Sequence, residues 1–100
     1  SIYAERIIVQ ISFYYDIYTY FIMNEIYEIE FGKNIRRIRK EKKLTQDQLA
    51  AQLQLNGCDI TRSALAKIEV GQRHLYPDEI LLLKEILNVD FNDMFYFNFK

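Results

Sequence analysis

Four side chains between residues 62 and 67 have the chemistry to contact nucleic acid. They are Arg62, Ser63, Ala66 and Lys67, and no acidic residue lies among them. Arginine and lysine can donate hydrogen bonds to O6 and N7 of guanine, and serine can bond to several base edges. A helix with these side chains on one face would suit the DNA major groove. An ordinary solvent-exposed helix face can have the same composition, so both interpretations stay open on these residues alone.

A short helix is predicted to carry these side chains. Thr61 can cap its start, and Gly71 is placed to end it. Leu65 and Ile68 recur at helical spacing, on the side opposite the four candidate contact residues. The helix would therefore be held by one face and would present the other.

A preceding helix is predicted to support it. Thr45 and Gln48 have the spacing of a capping box, in which each residue bonds to the backbone of the other. An apolar face follows, formed by Leu49, Ala50 and Leu53. Asn56 and Gly57 are typical of a helix C-terminus, because both can adopt the left-handed conformation that closes one. The stretch 44–71 thus reads as two helices joined by a turn.

Basic charge is concentrated on this part of the chain, although the formal net charge of the 100 residues is −1. Residues 32–75 contain ten basic and four acidic residues. Residues 1–31 contain one basic and five acidic residues, and residues 76–100 contain two and five. A local excess of basic residues is expected of a surface that binds phosphates.

The composition disfavours catalysis. A chain of 100 residues, half of them hydrophobic, is enough for one small domain but leaves little room for a separate catalytic domain. Cys58 and His74 are the only residues of their types, so no disulfide or ligand-spaced metal site is expected. We also find no paired nucleophile and base and no glycine-rich phosphate loop. We therefore predict a cytoplasmic protein that is not an enzyme and has no cofactor, metal or catalytic residue.

Three stretches together resemble the Cro/repressor-type helix-turn-helix regulators. They are FGKNIRRIRKEKKLTQDQLA, ITRSALAKIEVGQR and LLLKEILNVDFNDMF, and the resemblance extends from about Phe31 to Phe95. It implies that Gln46 contacts a phosphate and that Arg62, Ser63 and Lys67 read bases. It also implies that Arg39 and Glu69 tie the first helix to the end of the recognition helix. With their neighbours, the expected DNA-binding residues are Gln46, Thr61, Arg62, Ser63, Ala66, Lys67, Gln72 and Arg73.

The remaining elements follow from local signals. We predict a first helix from about Phe31 to Lys42, a fourth that begins at Pro77, and a short fifth from Phe91 to Phe95 capped by Asp90. Between Leu53 and Ile60 the family usually has a single glycine, whereas this chain has QLNGCD. A longer first motif helix and a wider loop are therefore expected.

The two ends of the chain are rich in aromatic residues. Residues 7–21 alternate as a strand would, although helical spacing fits them as well, and polar residues inside the run argue against a membrane span. Met23 has the position of a natural start for the family, so the first 22 residues can be an upstream extension. The last residues, FYFNFK, alternate as a strand.

These signals predict a mainly α fold, a five-helix repressor-like helix-turn-helix domain with short β-strands at its N- and C-terminal extensions. Residues 1–30 form an aromatic extension, strand or helix, that is a candidate dimer contact. Residues 31–95 form the DNA-binding domain, and residues 96–100 form a terminal strand.

The leading functional hypothesis is a sequence-specific transcriptional regulator, a repressor that binds a palindromic operator in double-stranded DNA as a homodimer. One alternative is an antitoxin-like protein that binds a toxin partner through its aromatic termini and its own promoter through the motif. The other is a protein-interaction module without DNA binding.

Overall fold

The computed structural model describes residues 24–97, which form five helices. Helix α1 covers residues 24–41, α2 is Gln46–Leu55, α3 is Arg62–Glu69, α4 is Pro77–Leu87 and α5 is Phe91–Met94. The predicted mainly α, five-helix fold is confirmed for this part of the chain. None of these helices is both long and apolar enough to cross a membrane.

One apolar core joins all five helices. Its most deeply buried side chains are Ile35, Ile38, Leu49, Leu53, Ile60, Leu65, Ile68, Leu83, Leu87 and Met94. Burial of a side chain of this size stabilises the folded state by about 1.5 to 3 kcal/mol. Most of these positions belong to the predicted apolar faces. Ile60 is an exception, because it lies in the connection between α2 and α3, outside any helical pattern.

The predicted caps set where α2 and α3 begin. Thr45 Oγ1 accepts a hydrogen bond from the Gln48 backbone N–H at 3.0 Å, and Gln48 Oε1 accepts one from the Thr45 N–H at 2.9 Å. Thr61 Oγ1 accepts from the Ala64 N–H at 3.1 Å. Asn56 caps the C-terminus of α2, and residues 56–61 connect it to α3. Both motif helices therefore begin where their predicted N-cap residues lie.

Helix α1 begins earlier than the sequence pattern predicts. We expected it from about Phe31, but residues 24–30 are already helical, and the helix continues across the boundary proposed between residues 30 and 31. Tertiary contacts explain the difference. Ile29 packs so closely on Gly71 that a Cβ atom there would lie 2.6 Å from Ile29 Cγ1. Nearby, Glu28 contacts His74 in the loop after α3.

The C-terminal segment also departs from expectation. Helix α5 ends at Met94, one residue earlier than predicted, and Asp90 occupies its N-cap without a side-chain cap bond. The strand predicted from Tyr96 onwards is absent at residues 96 and 97. Instead, Asn34 Nδ2 donates to the carbonyls of Met94 and Tyr96 at 2.9 and 2.7 Å. The bond to Tyr96 satisfies a carbonyl that a strand would have paired with another strand.

Residues 1–23 and 98–100 lie outside the described residues. The strand or helix proposed for residues 7–21, the aromatic N-terminal contact and the last three residues of FYFNFK therefore remain predictions.

Candidate nucleic-acid interface

Helix α3 has one buried face and one exposed face. Leu65 and Ile68 are fully packed in the core, whereas Arg62, Ser63 and Lys67 are exposed and Ala66 is half-buried. The four residues proposed to contact DNA therefore share the outer face of a helix whose inner face is anchored. The buried face fixes the orientation of the helix, and with it the direction in which the outer face points.

A groove of about 670 Å³ lies between the start of α2 and this outer face. Its lining includes Arg36 from α1, Thr45 and Gln46 from the start of α2, and Arg62 and Ala66 from α3. The free N–H groups at a helix start carry partial positive charge and attract anions. The groove thus combines a helix N-terminus with the exposed arginine side chains of Arg36 and Arg62, a combination that suits phosphate oxygens.

A buried ion pair connects α1 to the C-terminal end of α3. Arg39 Nε lies 2.7 Å from Glu69 Oε2, and Arg39 Nη2 lies 2.9 Å from Glu69 Oε1. The two residues are 7% and 3% exposed. The hydrogen bond with Glu69 raises the pKa of Arg39, against the lowering effect of burial. The pair thus has the bidentate geometry that makes arginine–carboxylate contacts strong.

The same pair reaches the start of α2. Arg39 Nη1 donates to the Leu44 carbonyl at 2.8 Å, and Gln46 Nε2 donates to Glu69 Oε1 at 3.1 Å. The side chain expected to contact a phosphate is therefore tethered to the recognition helix. One amide hydrogen of Gln46 is used in this bond, which leaves the second for another acceptor.

The two predicted contact residues after α3 have different surroundings. Gln72 is exposed, and its backbone N–H donates to the Lys67 carbonyl at 2.8 Å, close to the recognition face. Arg73 is turned towards α4, where its Nη1 and Nη2 atoms lie 3.3 and 3.2 Å from the Glu79 carboxylate. It lines a separate apolar pocket with Tyr27 and Phe31 rather than the groove. The structure therefore does not bring Arg73 together with the other candidates.

The fold matches that of a known family. Residues 35–94 match the model of the helix-turn-helix family. The chain belongs to this family. The restriction-modification controller protein C.AhdI from Aeromonas hydrophila has a similar structure, with a TM-score of 0.61 and 30% sequence identity over 71% of this chain and 96% of that one. A comparison with curated proteins found no match.

The resemblance to Cro/repressor-type regulators is thereby confirmed, and this helix-turn-helix protein is a DNA-binding transcriptional regulator. Its α2 and α3 are the two motif helices, and α3 occupies the position of the recognition helix.

Three residues of this helix-turn-helix protein have roles that the sequence patterns did not reveal. Gly32 lies where α1 crosses the end of α3, and Asn34 holds the segment after α5. Asp47 contacts Arg62 across the groove. A glycine inside a helical pattern is a signal of close backbone approach, and Gly32 is such a glycine. The partners of Asn34 and Asp47 are distant in sequence, and no local pattern identifies them.

The pair of Glu79 and Arg73 predicts an acid-sensitive contribution to stability. Burial raises the pKa of Glu79, but hydrogen bonds from Arg73 and the Tyr76 N–H and the charge of Arg73 outweigh it, so the pKa is lowered overall. A carboxylate with a lowered folded-state pKa stabilises the fold above its unfolded pKa, about 4.3 for glutamate. That contribution is lost as pH falls through the lower folded-state value.

We therefore expect Glu79→Gln to destabilise the fold at pH 7 and to reduce the loss of stability that follows as pH falls below about 4.3. Urea denaturation at several pH values would measure this. Glu85→Gln changes an exposed residue of the same helix and serves as the control. The prediction would be contradicted if the free energy of unfolding fell equally steeply with decreasing pH in Glu79→Gln and wild type.

Proposed function

We propose that this protein binds a palindromic operator as a homodimer in the cytoplasm and represses transcription from it. The observation that carries the proposal is the exposed face of α3, where Arg62, Ser63 and Lys67 project from a helix anchored by buried Leu65 and Ile68. The similarity to C.AhdI, a restriction-modification controller protein, supports a regulatory role for the DNA contact.

In this proposal the residues divide into two groups by task. Arg62, Ser63 and Lys67 face the base edges and determine sequence, whereas Gln46 and Arg36 lie at the groove and hold the phosphate backbone. Phosphate contacts set the register of a protein on DNA, and base contacts specify the sequence. Thr61 contributes by capping α3. The small side chain of Ala66 allows α3 to approach the DNA closely, and Gln72 lies beside the end of α3.

The operator can be selected from a random duplex library and then used to test these roles. We expect Arg62→Ala to weaken operator binding by about 1 to 3 kcal/mol and to relax the preference at one base pair. Random duplex should be affected less, because the lost contact is to a base. Affinities are measured by fluorescence anisotropy on both duplexes at several salt concentrations, and affinity should fall steeply as salt rises.

Arg36→Ala is the matched control, since this arginine lines the groove from α1 and not from the recognition helix. It should weaken binding to operator and random duplex by similar factors. Equal losses on both duplexes for Arg62→Ala would show that Arg62 contacts phosphate and not a base. Salt-independent binding, or no binding to any duplex, would contradict the proposed function itself.

We place the dimer contact on the exposed aromatic side chains of the C-terminal end, Phe91, Phe95 and Tyr96. They are 44%, 45% and 67% exposed and lie outside the lining of the groove. Two recognition helices must be about 34 Å apart to enter successive major grooves of one palindromic site, and a symmetric contact would hold them there. Grouped exposed aromatic residues are typical of protein interfaces.

A single substitution tests this contact. Phe91→Ser should raise the dissociation constant of the dimer by about tenfold or more, because aromatic residues often dominate the energy of an interface. Sedimentation velocity over a concentration series would measure it, with a thermal melt to check folding. Leu55→Ser is the control, since Leu55 is 86% exposed at the C-terminal end of α2 and does not belong to this aromatic group. Equal effects of the two changes would contradict the placement.

A further inference from the structure

An exposed carboxylate lies on the surface that we propose to face DNA. Asp47 Oδ1, from the first turn of α2, lies 3.7 Å from Nε of Arg62 on α3, and the two side chains are 76% and 66% exposed. The other acid that lines the groove, Glu69, is buried against Arg39. Among the described groove residues, Asp47 is thus the one acid whose charge faces solvent.

The position of Asp47 has a structural explanation and a functional one. Any acid in the first turn of a helix stabilises that helix through its dipole, and this effect does not involve Arg62. A negative charge beside the groove also repels phosphates, so it opposes the general attraction to DNA. The contact across the two motif helices is what distinguishes this acid, because it reaches a side chain proposed to read a base.

The geometry of arginine decides what such a contact would do. Its guanidinium group has five N–H donors in a fixed plane, one on Nε and four on the two Nη atoms. Guanine accepts two hydrogen bonds, at O6 and N7, and the pair of Nη atoms can supply both. A carboxylate on the Nε side leaves the Nη pair free and limits rotation of the group. A side chain held in its binding orientation loses less freedom on binding.

We propose that Asp47 is a positioning residue that sets the base specificity of Arg62. Its carboxylate occupies the Nε side of the guanidinium and directs the Nη pair at a guanine in the major groove. This inference rests on the proposed function, in which Arg62 reads a base. Asp47 therefore increases discrimination between operator and other sequences while adding nothing to general affinity for DNA.

The test compares Asp47→Asn, Arg62→Ala and the double variant on three duplexes. These are the selected operator, the same operator with the base pair sensitive to Arg62→Ala changed from G·C to A·T, and a random duplex, all at one salt concentration. Asp47→Asn should reduce the ratio of affinities for the first two duplexes by up to about fivefold, as expected for an exposed ion pair. Its affinity for random duplex should not fall. In the Arg62→Ala background, the same change should leave the ratio unaltered.

Asp59→Asn is the control, because it removes an exposed acid in the connection between α2 and α3 that does not line the groove. It should leave the ratio unchanged. An unchanged ratio in Asp47→Asn would overturn the proposal, and the same loss in the Arg62→Ala background would show that Asp47 contacts a base itself. If Arg62→Ala leaves discrimination intact while binding remains salt-dependent, the base-reading role of Arg62 fails, and the positioning role fails with it. A lack of duplex binding by the wild type would overturn the proposed function as a whole.

Discussion

Replacing Glu69 by alanine should lower the free energy of unfolding by about 3 to 5 kcal/mol, because it removes one side of a buried ion pair. Arg39, which is 7% exposed, would then be left without a carboxylate partner. Gln46 would lose the acceptor of its amide at the same time. Urea denaturation followed by circular dichroism would measure the change, which is a large part of the stability of a small domain.

Glu41→Ala is the matched control, since it removes a glutamate that pairs with Arg37 on the exposed surface of α1 at 3.1 Å. Surface pairs one helical turn apart contribute only about 0.3 to 0.5 kcal/mol. The double variant Arg39→Ala with Glu69→Ala should be less destabilised than the sum of the single changes, because neither charge remains unpaired. If the urea midpoint of Glu69→Ala equalled that of Glu41→Ala, the pair of Arg39 and Glu69 would not stabilise the fold.

The second large effect is expected at Gly32. A Cβ atom at this position would lie 2.2 Å from the Ile68 carbonyl oxygen and 2.9 Å from the backbone of Glu69. These are backbone atoms of α3, so no side-chain rotation can relieve the clash, and α1 must move away from the recognition helix. Overpacking of this kind costs about 1 to 3 kcal/mol, or more where no adjustment is available. We expect Gly32→Ala to reach at least the upper end of this range.

This expectation runs against helix propensity. Alanine is favoured over glycine inside a helix by about 1 kcal/mol, so Gly32→Ala would stabilise α1 if it made no tertiary contact. Ala51→Gly provides the comparison, because Ala51 is exposed in the middle of α2 and reports propensity alone. Both variants should be less stable than wild type, and Gly32→Ala should be the less stable of the two. A stability of Gly32→Ala at or above wild type would show that the two helices separate easily.

Glu69→Ala and Gly32→Ala both affect the junction between α1 and α3, but by different contacts. Gly32 allows α1 to lie against the backbone of α3, and Glu69 draws Arg39 and Gln46 to that point. Separation of the helices in Gly32→Ala should therefore weaken the ion pair as well. Since Glu69 and Gly32 are both buried, neither change should alter which base pairs the folded protein prefers.

Local patterns in the sequence were enough to predict the helices that form the motif. Thr45 with Gln48 and Thr61 with Ala64 are short-range arrangements, and their bonds require only neighbouring residues. The same applies to the apolar faces, because helical spacing alone brings Leu49 and Leu53, or Leu65 and Ile68, to one side. The pairing of Arg39 with Glu69, 30 residues apart, came from resemblance to a family and not from a local pattern.

The sequence by itself therefore determined the helix-turn-helix, its core faces and the basic, acid-free surface of α3, because each depends on neighbouring residues. Only the tertiary structure decided how far α1 extends, since residues 24–30 are held by contacts with the loop after α3. It also placed Arg73 against Glu79 and not in the groove, and it paired the Tyr96 carbonyl with Asn34 where a strand was predicted. Most of these contacts join residues more than 40 positions apart, and side chains so distant in sequence meet only when the whole core has packed.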